Sequence, residues 1–185
     1  MSNPTAALPR FVDLVYSAGR LSWPEGEAPA ACGRGGVRPD KREGDGASPA
    51  GVFPLVRAFY RPDRLATPPT GLKLTALRPS DGWVDDPADP HYNRPVSLPY
   101  PAGHEAMWRD DALYDVVVVI GYNTDPPAPG LGSAIFLHVA APDGAGPNGA
   151  GLGFAPTAGC IAIARDELVA LLGLLGPGST ITIRP

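Results

Sequence analysis

The sequence predicts a loop-rich, mainly β protein with helices confined to its periphery. Three observations carry this. Short runs of β-branched residues recur along the chain, most clearly in Val116-Val117-Val118-Val119-Ile120 and Thr180-Ile181-Thr182-Ile183. The 24 prolines and 23 glycines in 185 residues fall between these runs as punctuation and form no repeat. Only one stretch has a helical period, with Leu168, Leu171, Leu172 and Leu175 on one face.

Taken in order, Phe11 to Tyr16 reads as an opening strand. The polar segment from Val37 to Gly51 contains Gly44-Asp45-Gly46, which needs backbone freedom for a tight turn, and leads into the apolar Val52 to Val56. Asp45 there reads as a turn former. Residues 61 to 110 are dominated by proline, aspartate and arginine and read as a loop-rich excursion with short elements such as Leu72 to Leu77. An excursion of that length is often functional, for example as a wall of a cleft.

Asp115 to Gly121 is apolar on both faces, as a central strand requires. Ser133 to Val139 is a second such strand, and the turn-rich Asn123 to Gly132 lets the two pair as an antiparallel hairpin. Ile161 to Ala164 continues the pattern. The helix after it has Asp166 and Glu167 in its first turn, where they favour the positive end of the dipole, and Gly176-Pro177 to stop it. The whole of residues 1 to 185 reads as a single domain.

A net charge of −4 argues against a nucleic-acid partner, which usually demands a basic face. No apolar run approaches the roughly 20 residues that cross a membrane. The first ten residues have neither a basic start nor an apolar core, so they do not read as a secretory leader.

The most informative pair is Cys160, directly after Gly159, and His138, which closes the apolar run Ile135-Phe136-Leu137. A glycine before a thiol leaves room for a substrate backbone, and a histidine ending a buried strand is held rigidly enough to act as the base a thiol needs. The 22 residues between them include the Gly/Pro-rich Pro142 to Pro156, long enough to fold back and bring the side chains together. Tyr122 and Asn123 follow the central strand and read equally as cleft residues or as an ordinary turn.

The order Gly44-Asp45-Gly46-Ala47-Ser48-Pro49-Ala50-Gly51-Val52-Phe53, then Ser133 to His138, then Thr157-Ala158-Gly159-Cys160, resembles the L,D-transpeptidase catalytic-domain (YkuD-type) family from about residue 35 onward. The resemblance implies a mixed-sheet, sandwich- or barrel-like fold. It implies Cys160 as nucleophile, His138 as base, Gly159 as the glycine before the nucleophile and Thr157 as the hydroxyl that opens the motif. Three positions depart from the family pattern: Val139 stands for a glycine, Ala158 for a histidine and Ala162 for an arginine.

The implied substrate is a peptidoglycan stem peptide, cut after its third residue with no metal or organic cofactor; the resemblance implies the cell envelope, while the lack of a leader-like start keeps a cytoplasmic place open. Thiol attack would give a thioester on Cys160, with the Gly159 and Cys160 N–H groups on the oxyanion, each such donor contributing about 3 kcal/mol. A catalytic thiol of this kind is expected to alkylate faster than Cys32, with a pH profile below that of a free thiol. Other readings stay open at this point. They are hydrolysis of the same peptides, a non-catalytic peptide-binding module, an inert buried thiol and histidine, a Cys32–Cys160 disulfide, and a zinc site adding His91, His104 or Cys32 to His138 and Cys160.

Overall fold

A computed structural model describes residues 11–142 and 153–185. The expected leader-free N-terminus and the middle of the 142–156 loop lie outside the described residues. Early strands are β1 (Asp13–Ser17), β2 (Arg20–Trp23) and β3 (Gly26–Ala31), followed by the two-residue pieces β4 (Val37–Arg38) and β5 (Ser48–Pro49). Then come β6 (Gly51–Tyr60), β7 (Leu74–Ala76), β8 (Asp81–Val84), β9 (Pro95–Ser97) and β10 (His104–Ala106). The chain ends with β11 (Val116–Ile120), β12 (Phe136–Val139), β13 (Ile161–Ile163), α1 (Arg165–Leu172) and β14 (Thr180–Ile183).

The main sheet runs β11-β12-β13-β3-β2-β1-β14-β6-β7, and β11 also pairs with β6. That extra pairing closes the sheet into a barrel-like ring with β7 outside it. The sheet is mixed, since β1–β14 and β12–β13 are parallel while β11–β12 and β11–β6 are antiparallel. A mainly β, mixed, barrel-like fold is therefore observed.

Strand alternation divides the apolar residues into two cores. Every strand of the ring contributes to the larger core, with Leu14, Leu21, Ala30, Leu55, Val118, Leu137, Ile161 and Ile181 among its members, and the helix adds Leu168, Leu171 and Leu172. The opposite face of β11, β12 and the residue before β13 gives Val117, Val119, Phe136 and Cys160. These pack with Trp83, Met107, Leu77 and Tyr114, which the 61–110 excursion and the loop after it supply. That excursion is more ordered than expected: β10-β8-β9 form a small antiparallel sheet.

The helix is shorter than its leucine spacing suggests. It ends at Leu172, with Gly173 as C-cap. Beyond it, Leu174 N–H and Leu175 N–H reach back only three residues, to the carbonyls of Leu171 and Leu172, so the chain tightens as helix ends often do. Leu175 stays fully buried, which is why the apolar pattern outlasts the helix. No described helix is long and apolar enough to cross a membrane.

Candidate active site

Parallel pairing of β12 with β13 sets the geometry of the pair. Leu137 stands opposite Ile161 and His138 opposite Ala162, so His138 lies two positions beyond Cys160, roughly 7 Å along the strand direction. Both side chains point to the smaller core, away from the ring interior. They are nearly buried, at 8% exposure for Cys160 and 6% for His138.

The segment leading to Cys160 is fixed by two hydroxyls. Thr157 Oγ1 donates to the Cys160 carbonyl at 2.6 Å and accepts the Gly159 N–H at 3.1 Å. Ser48 Oγ, fully buried, donates to the Gly159 carbonyl at 2.7 Å and accepts the Gly33 N–H at 2.9 Å. Gly159 has a φ of +154°, and a Cβ there would stand 3.0 Å from the Ala47 carbonyl oxygen, so the position requires glycine. Thr157 is thus placed as a brace of the cysteine turn. The Gly159 N–H is engaged by Thr157, which corrects its expected assignment to an oxyanion.

The sulfur and the imidazole have backbone partners. Cys160 Sγ donates to the Ala134 carbonyl at 3.2 Å and receives the Phe136 N–H at 3.3 Å. His138 Nδ1 is 2.8 Å from the Val139 carbonyl. A carbonyl only accepts, so Nδ1 carries the proton and Nε2 keeps its lone pair. Among the described residues no hydrogen bond joins Sγ to the ring, although a direct contact was expected. The reason is the two-residue stagger together with a sulfur turned toward the start of β12.

Burial pushes the Cys160 thiol up to about 12, the negative charge of Glu105 adds to the rise, and the Phe136 N–H and Lys41 only partly offset it. Burial also lowers His138 to about 4. The resting pair is therefore a neutral thiol beside a neutral imidazole. Both directions run against the expectation of a readily alkylated, low-pKa cysteine.

Cys160, Gly159 and Ala158 line a cavity of about 190 Å³. Its walls are strongly charged. Lys41, one of two lysines in the chain, is nearly buried and donates to Asp45 Oδ1 at 2.9 Å. Asp45 also accepts the Arg42 and Ala47 N–H groups, so it organises the 41–47 loop as the turn former expected and holds the lysine besides. Glu43, Asp85 and Glu105 supply the acidic side. Burial is the largest cause raising both Asp85 and Glu105 above the usual carboxylate range. Asp85 and Glu105 come from the 61–110 excursion, which thereby forms part of the cavity wall.

Ala134, the sulfur's acceptor, has a left-handed φ of +50°. Asn93 Oδ1 receives its N–H at 3.0 Å, Tyr92 Oη receives the Gly132 N–H at 3.0 Å, and Glu43 accepts from both Ser133 and Tyr92. Tyr122 and Asn123 lie apart from the cavity. Tyr122 Oη donates to the Leu131 carbonyl at 2.6 Å, and the Asn123 amide bonds the Ala128 backbone and the Gly132 carbonyl. Both serve the 123–132 loop, the ordinary turn of the two readings.

Two of the other readings, the disulfide and the zinc site, are answered by position. Cys32 and Cys160 are both free thiols. His91 bonds Tyr100, His104 bonds the Ala102 carbonyl, and among the described residues no group of three His, Cys, Asp or Glu side chains is arranged to hold a metal ion. Ala162 is buried opposite His138, leaving no cation at that motif position. Sequence reading missed Lys41, Glu43, Asp85, Glu105 and Tyr114; the scarcity of lysine and the length of the excursion were the available signals.

The closed, mixed sheet defines the class as a mainly β, barrel-like domain, with a cysteine and a histidine on one face of adjacent parallel strands. The L,D-transpeptidase catalytic domain (YkuD) family model matches residues 8–183, and the chain belongs to that family. Among solved structures, Mycobacterium tuberculosis L,D-transpeptidase 1 is similar, with 13% identity and a TM-score of 0.40 over 94% of this chain. The chain spans 59% of the length of that structure's chain. No curated protein sequence matches it significantly.

Proposed function

We propose that this protein transfers acyl groups between peptidoglycan stem peptides through a thioester on Cys160, with His138 as the base. The observation that carries this reading is the placement of thiol and imidazole on one face of neighbouring strands, with no hydrogen bond to Nε2 among the described residues and a cavity lined by Cys160. The thiol turns away from the Ala134 carbonyl, gives its proton to Nε2 and attacks the carbonyl carbon of the donor peptide bond. The bond to nitrogen then breaks, the leaving amine takes the proton from His138, and the acyl group remains on sulfur. An acceptor amine completes transfer, whereas water would complete hydrolysis. With the Gly159 N–H given to Thr157, the Cys160 N–H is the oxyanion donor left of the pair. Lys41 in the cavity supplies a positive charge that Ala162 cannot.

A second reading, a peptide-binding module without turnover, is favoured by one observation: the sulfur already has backbone partners on both sides. One experiment separates the two. The protein is incubated with a disaccharide-tetrapeptide and a diamino acid, and protein and products are weighed by mass spectrometry. A thioester adduct on Cys160 and loss of product in Cys160→Ala support transfer. Product formed at the wild-type rate by Cys160→Ala defeats it.

A further inference from the structure

Tyr114 lies two residues before β11, where no motif drew attention to it, yet it touches both the His138 ring and a carboxylate of the cavity wall. Its ring makes an edge contact with the His138 imidazole, centroids 5.5 Å apart and planes at 73°. It makes a second with Phe136, at 5.9 Å, and the Phe136 N–H is the one that holds the sulfur. Its hydroxyl donates to Glu105 Oε2 at 2.5 Å, and Glu105 lines the cavity beside Cys160.

The loop carrying Tyr114 is anchored far more heavily than a surface loop requires. Arg64 donates to the carbonyls of Asp110 and Asp111 and to the Asp115 carboxylate, and Arg61 donates to the Arg109 carbonyl. Asp115, buried and next to Tyr114, faces a second guanidinium, Arg165, at 3.1 Å. Arg109 in turn stands 5.3 Å from the Tyr114 ring centroid. Among the described residues the imidazole has one hydrogen bond, to the adjacent Val139 carbonyl, which fixes the tautomer but by itself does not fix the tilt of the ring. A neighbouring aromatic edge removes that freedom.

We propose that Tyr114 is the positioning residue of this site: its ring sets the plane of the His138 imidazole, and its hydroxyl holds the Glu105 carboxylate against the cavity wall beside Cys160. The proposal rests on the reading of His138 and Cys160 as base and nucleophile. It assigns separate tasks to ring and hydroxyl, so two substitutions separate them. Tyr114→Phe keeps the ring and frees Glu105. Tyr114→Met keeps comparable bulk and loses the ring.

The test combines steady-state kinetics on the tetrapeptide donor with the nitrogen NMR signals of the His138 ring, which need no substrate. Tyr114→Met loses the hydroxyl with the ring, so it should raise KM as Tyr114→Phe does and in addition displace the His138 signals and lower kcat by about tenfold or more, as misplaced catalytic groups do. Tyr114→Phe should leave the signals and kcat near wild type and raise KM. A Tyr114→Met variant with wild-type His138 signals and kcat overturns the positioning role, as does a Tyr114→Phe variant that loses as much kcat as Tyr114→Met. An unchanged KM in Tyr114→Phe overturns the part assigned to the hydroxyl. If Tyr114→Met does not fold, Tyr114→Leu takes its place, read by the same signals and kcat. Wild-type protein without Cys160-dependent turnover overturns the catalytic reading beneath the proposal, a result distinct from anything the ring signals report.

Discussion

Thr157 and Cys160 are joined across a tight turn, the threonine hydroxyl donating to the cysteine carbonyl at 2.6 Å while accepting the Gly159 N–H at 3.1 Å. One oxygen thereby fixes the peptide on each side of Ala158 and Gly159. Thr157→Val keeps the shape and removes both bonds, stranding a donor and an acceptor. The expected loss is about 1–3 kcal/mol in urea unfolding, with turnover falling in parallel. Thr157→Ser should restore both, and a Val variant as stable and as active as wild type would show the brace to be idle.

Ser48 is the second brace and the more buried. Ser48→Ala leaves the Gly33 N–H and the Gly159 carbonyl without their hydroxyl partner in a fully enclosed place. Stability should drop by about 2–3 kcal/mol. A melting temperature unchanged from wild type would mean that backbone shifts re-pair both groups.

His138 makes the protein acid-sensitive. Its folded value is about 4 against an ordinary 6.5, so the unfolded chain binds this proton first as pH falls. Its contribution to stability is complete above 6.5 and is lost as pH drops toward 4, by about 3 kcal/mol. Unfolding free energies of wild type and His138→Gln, measured across that window, should converge as the medium acidifies. Parallel curves would refute the assignment.

The Cys160 thiol should alkylate slowly in the free protein. With its value near 12, the thiolate fraction at neutral pH is small, and iodoacetamide labelling should climb about tenfold per pH unit up to the highest pH the fold survives. A free model thiol levels off above its value of about 8.5. Peptide mapping of labelled Cys160 checks this, and a plateau below pH 9 would show a thiolate stabilised in a way the resting geometry lacks. The raised value also means that stability held by this proton declines as pH rises from 9 through 12.

The strands that were legible are those whose side chains are β-branched on both faces. Val116 to Ile120 and Thr180 to Ile183 could scarcely be read otherwise, and the hairpin from β11 to β12 followed from the turn-rich spacer. The β2–β3 hairpin was not legible. Gly26-Glu27-Ala28-Pro29-Ala30-Ala31 has weak strand propensity, and its partners β2 and β13 make it a strand. The same holds for β8 to β10, three or four residues each amid prolines, where the Trp83 indole bonding Asn93 and the cross-strand pairing do the work. At the site, Cys160 and His138 were visible because nucleophile and base are distinctive types. The carboxylates of Asp85 and Glu105 were invisible because what brings them to the sulfur is packing between segments distant in sequence.

The division of the apolar residues between two clusters has a further outcome for how this protein tolerates change. The ring encloses the larger cluster and would keep it if the β8–β10 flap loosened, whereas the thiol depends on the smaller one. Damage to β8–β10 should therefore disturb the surroundings of Cys160 without denaturing the protein, the barrel staying intact.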